Sequence, residues 1–87
     1  MEISKIPPHD IEAEQAILGS MLTDQDAVVD SIEILKPEDF YREDNKFIYE
    51  AMSNLYGRGE PIDIITVKSE LTSMQKFEAV GGIEYLA

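Results

Sequence analysis

From Asp10 onward, apolar residues return every three or four positions, the spacing that lays one face of a helix against a core. Ile11, Leu18, Met21 and Leu22 share a face, with Ile17 at its edge. Asp10 is placed to cap this first helix, and Glu12 and Glu14 stand near its positive N-terminal end. Thr23-Asp24 closes it and caps a second helix with the stripe Val28, Val29, Ile32 and Leu35. Pro37, which cannot extend a hydrogen-bond ladder, stops that one. In the "PEDFY" turn, Phe40 and Tyr41 are expected to plug into the core. A third helix is predicted from about Arg42 to Tyr56, burying Phe47, Ile48, Ala51, Met52 and Leu55, with Gly57 as its C-terminal stop.

The stretch "IDIITV" at residues 62–67 has strand-like β-branched residues, yet no second such run exists to pair with it. Asp63 as a cap, followed by Ile64, Val67 and Leu71 at helical spacing, predicts a fourth helix instead. In "AVGGIEYLA" a double-glycine turn precedes Ile83 and Leu86, which open a fifth helix broken off after about one turn. The domain is therefore expected to continue past Ala87. Residues 1–9, interrupted by Pro7-Pro8, read as an irregular arm, and residues 10–87 as one all-α bundle of about five helices. Its expected core is Ile11, Leu18, Gly19, Met21, Leu22, Val28, Ile32, Leu35, Phe40, Ile48, Ala51, Leu55, Val67, Leu71, Ile83 and Leu86.

Gly19 interrupts the first helix, where glycine costs about 0.5–1 kcal/mol relative to alanine. With Ser20 beside it, it makes a low spot where another helix backbone can approach. Close packing inside the domain is the expected use, and contact with a neighbouring subunit is the alternative.

Composition narrows the function classes. Eighteen acids against seven bases give a formal net charge of −11, which repels phosphate backbones and attracts basic protein surfaces. The plainer reading is that these acids keep the helices soluble. Direct nucleic-acid binding by these residues is not expected. There is no cysteine, no signal-peptide layout and no apolar run approaching the ~20 residues of a membrane span, so a soluble intracellular domain is expected. A chain of this length buries only about 60–65% of its unfolded surface, which predicts marginal stability.

Candidate chemistry is sparse. His9, the one histidine, sits beside prolines in the arm and reads as an exposed spacer rather than a base or a metal ligand. HExxH, CxxC and G-x-S-x-G are absent from the sequence. Asp24, Asp26 and Asp30 suggest a calcium loop, but Val28 and Val29 occupy positions where that loop needs an oxygen ligand and a glycine. Glu38-Asp39 and Glu43-Asp44 precede or open helices, where the helix dipole accounts for them. "GRGEP" and "VGG" lack the lysine and hydroxyl of a phosphate loop. No catalytic, cofactor-binding or metal-binding residue is assigned.

Four blocks, "IPPHDIEAEQAILGSML", "ILKPEDFYREDNKFIYEAM", "RGEPIDIITVKSEL" and "VGGIEYLA", occur in order and cover nearly the whole chain. Together they resemble the N-terminal domain of DnaB-type bacterial replicative helicases. The resemblance implies an all-helical head preceding a RecA-like motor that uses ATP and magnesium in a cytoplasmic hexameric ring. In that family the head forms the ring's collar and contacts primase. It also continues beyond "YLA" into a helical hairpin that supplies much of the dimer contact. Asn45 stands where relatives often have histidine. The resemblance thus implies a non-catalytic assembly and partner-docking domain. A free-standing acidic adaptor, or an antagonist that mimics the helicase head, is the alternative. A reading frame running on into G-x-x-x-x-G-K-[ST] would favour the helicase, and a natural stop after Ala87 the adaptor.

Overall fold

A computed structural model describes Ile6 and residues 10–81; the fifth helix expected from Ile83 and Leu86 lies outside them. The order is α1 (Ile11–Thr23), α2 (Gln25–Ile34), a 3-10 turn (Pro37–Asp39), α3 (Glu43–Gly57), α4 (Ile64–Ser73) and a second 3-10 turn (Glu78–Val80). Among the described residues there is no strand, and the "IDIITV" stretch runs into α4. The fold is all-α.

Short polar side chains start three of the four helices. Asp10 accepts from Ala13 N at 2.9 Å to begin α1. Asp24 serves two helices at once: its N–H donates to Ser20 O to end α1, while its carboxylate accepts from Asp26 N to begin α2. Asp63 and Thr66 exchange bonds at the head of α4, with Thr66 N donating to Asp63 Oδ1 and Asp63 N to Thr66 Oγ1. Each device satisfies N–H groups that have no partner within the helix.

The helix α3 is the centre of the bundle, packing on α1, α4 and both 3-10 turns, while α1 also packs on α2. Leu18, Met21, Val28, Leu35, Phe40, Ile48, Ala51, Leu55, Val67 and Leu71 are buried, together with Ile17, Tyr49, Met52 and Val80. Leu22 and Ile32 are partly buried against this core, as are Ala13 and Phe47, and Ile11 is half-buried. Ile6, in the segment read as an arm, is also buried there. Phe40 fills the space under Tyr49, with ring centroids 4.9 Å apart.

Three expectations are corrected. Gly19 is not core: it is exposed, and a Cβ there would meet no heavy atom within 4 Å. It lies on α1 opposite the face that packs, so no close helix approach requires it. Tyr41 is exposed, because the chain turns at Phe40 and sends only that ring inward. The glycine that ends α3 is Gly59, not Gly57. Gly57 is still helical, whereas Gly59 has φ +71° and its N–H donates to Tyr56 O while Glu60 N donates to Leu55 O. That paired closure needs a left-handed residue, which glycine supplies without strain.

The buried face of α1 holds one charged residue. Glu14 is 0% exposed, among Ile17, Leu18 and Met21. Its carboxylate accepts from Tyr41 N at 2.6 Å, Arg42 N at 3.4 Å and Asn45 Nδ2 at 2.8 Å. Arg42 is the N-cap position of α3 and makes no side-chain cap of its own. A side chain of α1 therefore caps α3. Tyr49 does the converse for α2: its hydroxyl lies 2.8 Å from Leu35 O and 3.1 Å from Ser31 O, the carbonyls that finish that helix. Burial, with a contribution from Asp39, pushes the Tyr49 phenol up to about 12.

Three measurements test these assignments. Glu14→Ala strands three donors and opens a cavity, so it should cost about 3–5 kcal/mol in chemical denaturation, against under about 1 kcal/mol for exposed Glu12→Ala. Gly19→Ala should stabilise the chain by about 0.5–1 kcal/mol; a lower melting temperature would mean that position 19 is crowded after all. For Tyr49, the folded-state value lies above the unfolded value of about 10, so the neutral phenol's contribution is complete below pH 10. It is lost as the pH rises to about 12, amounting to about 2–3 kcal/mol. The stability difference between wild type and Tyr49→Phe should accordingly shrink across that window and stay flat below it.

Candidate interaction surface

With Glu14 and Tyr49 committed to helix ends, the remaining buried acid among the described residues is Glu70 of α4. Arg58, the residue capping α3, places Nη2 2.6 Å from Glu70 Oε1 and Nη1 3.3 Å from Oε2, and Asn54 Nδ2 donates to Oε2 at 3.1 Å. The Arg58 guanidinium, helped by Asn54, holds the Glu70 carboxyl below the usual carboxylate range against the opposing effect of burial. Arg58 also bonds Glu60 in the following loop. This pairing joins the C-terminal end of α3 to α4, and a cation there suits the helix dipole.

Acids weighed in the sequence have structural partners. Asp24 is a shared cap, and Asp44 accepts from Arg42 Nη2 at 2.8 Å. Among the described residues, no group of three or more His, Cys, Asp or Glu is arranged to hold a metal ion. No helix among them is long and apolar enough to cross a membrane. His9, Ile83 and Leu86 lie outside the described residues.

What the chain offers outward is surface. Ile34, Tyr41, Tyr56, Ile64 and Ile65 are large apolar side chains left exposed, Ile65 at 78%. The isoleucines at 64 and 65 belong to the stretch whose strand-like composition was ambiguous, and the turn of α4 explains them: Val67 and Leu71 take the buried face and leave Ile65 outside. Between the α1–α2 corner and the α3–α4 loop lies an open groove of about 450 Å³. Met21 and Val28 lie deep in it, Leu22 and Ile62 flank it, and Tyr56, Pro61 and Asp24 are at its edge. Sequence reasoning did not find this groove, because its two walls are 28 residues or more apart along the chain and only the fold brings them together.

The profile of the DnaB-like helicase N-terminal domain matches residues 6–87. The replicative DNA helicase DnaB of Geobacillus stearothermophilus is 48% identical over 83 residues, 95% of this chain and 18% of that protein. The replicative DNA helicase DnaC of Bacillus subtilis is 49% identical over 82 residues, 94% of this chain and again 18% of the relative. The chain thus spans under a fifth of the length of these relatives. The crystal structure of the N-terminal domain of DnaB helicase from Mycobacterium tuberculosis superposes with a TM-score of 0.87 at 47% identity, covering 93% of this chain and 56% of that one. A match in sequence over nearly every residue and in the arrangement of the helices places this chain in the DnaB-like helicase N-terminal domain family.

Proposed function

We propose that this chain serves as the non-catalytic head of a hexameric replicative DNA helicase, acting in DNA replication in the cytoplasm. In this role it forms part of the ring's collar and docks primase. ATP and magnesium act in a separate RecA-like motor. The observation that supports the reading most is the joint likeness in sequence and shape to proteins named as replicative helicases, confined to their N-terminal part. Charge supports the division of labour. At −11 the domain is repelled by the phosphate backbone that a motor must grip, and it is suited to a protein partner with basic groups. The side chains of Glu14, Asn45, Tyr49 and Glu70 also fit a scaffold, since each is used to fix one helix against another.

Grafting residues 10–87 in place of the matching segment of the Bacillus subtilis helicase tests both parts. In sedimentation velocity the chimera should form a hexamer that retains primase. A ring that hydrolyses ATP yet releases primase would rule out the docking role. The ungrafted chain should show no binding of a fluorescent single-stranded oligonucleotide at low salt, where screening is weakest; micromolar binding that weakens steeply with salt would overturn the division between head and motor.

A further inference from the structure

The four helices are not held equally. We propose that α2 opens as a unit, unfolding and refolding while α1, α3 and α4 stay assembled, with the Tyr49 hydroxyl as its latch.

The contacts between helices divide the bundle in two. Glu14 on α1 caps α3, and Glu70 on α4 is gripped by Asn54 of α3 and by Arg58 at its end. Those three helices are thus joined by charge-assisted hydrogen bonds. None of these groups belongs to α2, whose extensive packing is against α1. Its tie to α3 is the Tyr49 phenol, which faces both Leu35 O and Ser31 O and has one proton to give them. Neither border of α2 depends on its being folded. The Asp24 N–H closes α1 on Ser20 O whatever follows it. On the other side, the 3-10 turn Pro37–Asp39 packs on α3, and Asp39 Oδ2 accepts from Lys36 N to hold it.

Within itself α2 is also weak. It has ten residues, fewer than the ~12–15 that an isolated helix needs. It carries Asp26, Asp30 and Glu33 and no base. That sets like charges at i, i+4 and at i, i+3, and leaves an acid near the negative end of the helix. The helix α4, of the same length, has Lys68 as well as Glu70 and the two-way cap of Asp63 and Thr66. Ser31 is 0% exposed and its hydroxyl has no hydrogen-bond partner, a cost that opening relieves.

Opening changes the surface, because Asp24, Gln25 and Val28 line one wall of the groove. That wall is complete only while the latch is closed, and release uncovers the side of α1 on which α2 packs.

Native-state hydrogen exchange, read at single amides across low denaturant concentrations, tests the device. The amides of Val28–Leu35 should exchange as one set, at least about tenfold faster than those of Ile48–Leu55 and with a weaker denaturant dependence. Tyr49→Phe should speed the α2 set by about three- to tenfold. Glu70→Gln weakens a contact that the open form keeps, so it should speed Ile48–Leu55 and leave Val28–Leu35 unchanged. If Glu70→Gln speeds both segments by the same factor, α2 opens only with the whole bundle and the proposal is overturned. A Tyr49→Phe chain whose α2 amides exchange as in wild type would overturn it too.

Discussion

A carboxylate enclosed on all sides must be met by donors, and in this domain that requirement fixes how the two longest helices sit. Glu14 occupies the packing face of α1, and its oxygens receive the backbone N–H groups of Tyr41 and Arg42 and the amide of Asn45. These three donors cluster at the first turn of α3, where the helix dipole favours negative charge. Sliding α1 along α3 by a single turn would leave the carboxylate buried without partners, at a cost comparable to a large part of a small domain's stability. Purely apolar stripes tolerate such shifts far better, because hydrophobic contact is non-directional. The register of the bundle therefore depends on Glu14.

The same logic recurs at the other helix ends. Tyr49 of α3 reaches the terminal carbonyls of α2, and Arg58 at the end of α3 holds Glu70 of α4. Each contact satisfies a group that one element cannot satisfy alone, using a side chain from another. In a domain this small, apolar burial is limited, so directional contacts at helix termini carry much of the specificity. Their placement on α3 is what makes that helix the hub: it is capped by α1, caps α2, and anchors α4.

Much of this was legible in the residues, and the limits have physical causes. Asp10, Asp24 and Asp63 announce their helices because capping is local, reaching two or three residues along the chain. The "IDIITV" stretch was readable as helix for the same reason: Asp63 and the spacing of Val67 and Leu71 outweigh β-branched composition. Glu14 was read only as an acid near the positive end of α1, and its burial was missed. It stands three residues after Ile11 and four before Leu18, squarely in the apolar stripe, and a charge in that slot signals a buried partner without saying which. Asn45 lies in the same way ahead of Ile48 and Tyr49, and the two polar residues meet only because 31 positions fold together. Gly19 misled because a low helix-forming residue invites a packing explanation, while whether another backbone comes near is a tertiary fact. Gly57 and Gly59 are equivalent by composition, and which one turns left-handed is set by where Leu55 and Tyr56 need their carbonyls satisfied.

A bundle whose register is set by directional contacts presents its surface in a fixed geometry, and this bears on the groove. One wall is the corner where Asp24 both ends α1 and starts α2, which leaves no flexible linker between those helices. The other wall follows the paired closure at Gly59, held in turn by the Arg58 contacts to Glu60 and Glu70. Both walls are thus fixed by contacts within the chain itself. Ile65 differs, standing exposed beside Ile64 on the first turn of α4. Scattered apolar side chains are ordinary on a protein surface. Glu14, Tyr49 and Arg58 together fix the helices whose ends hold this groove open.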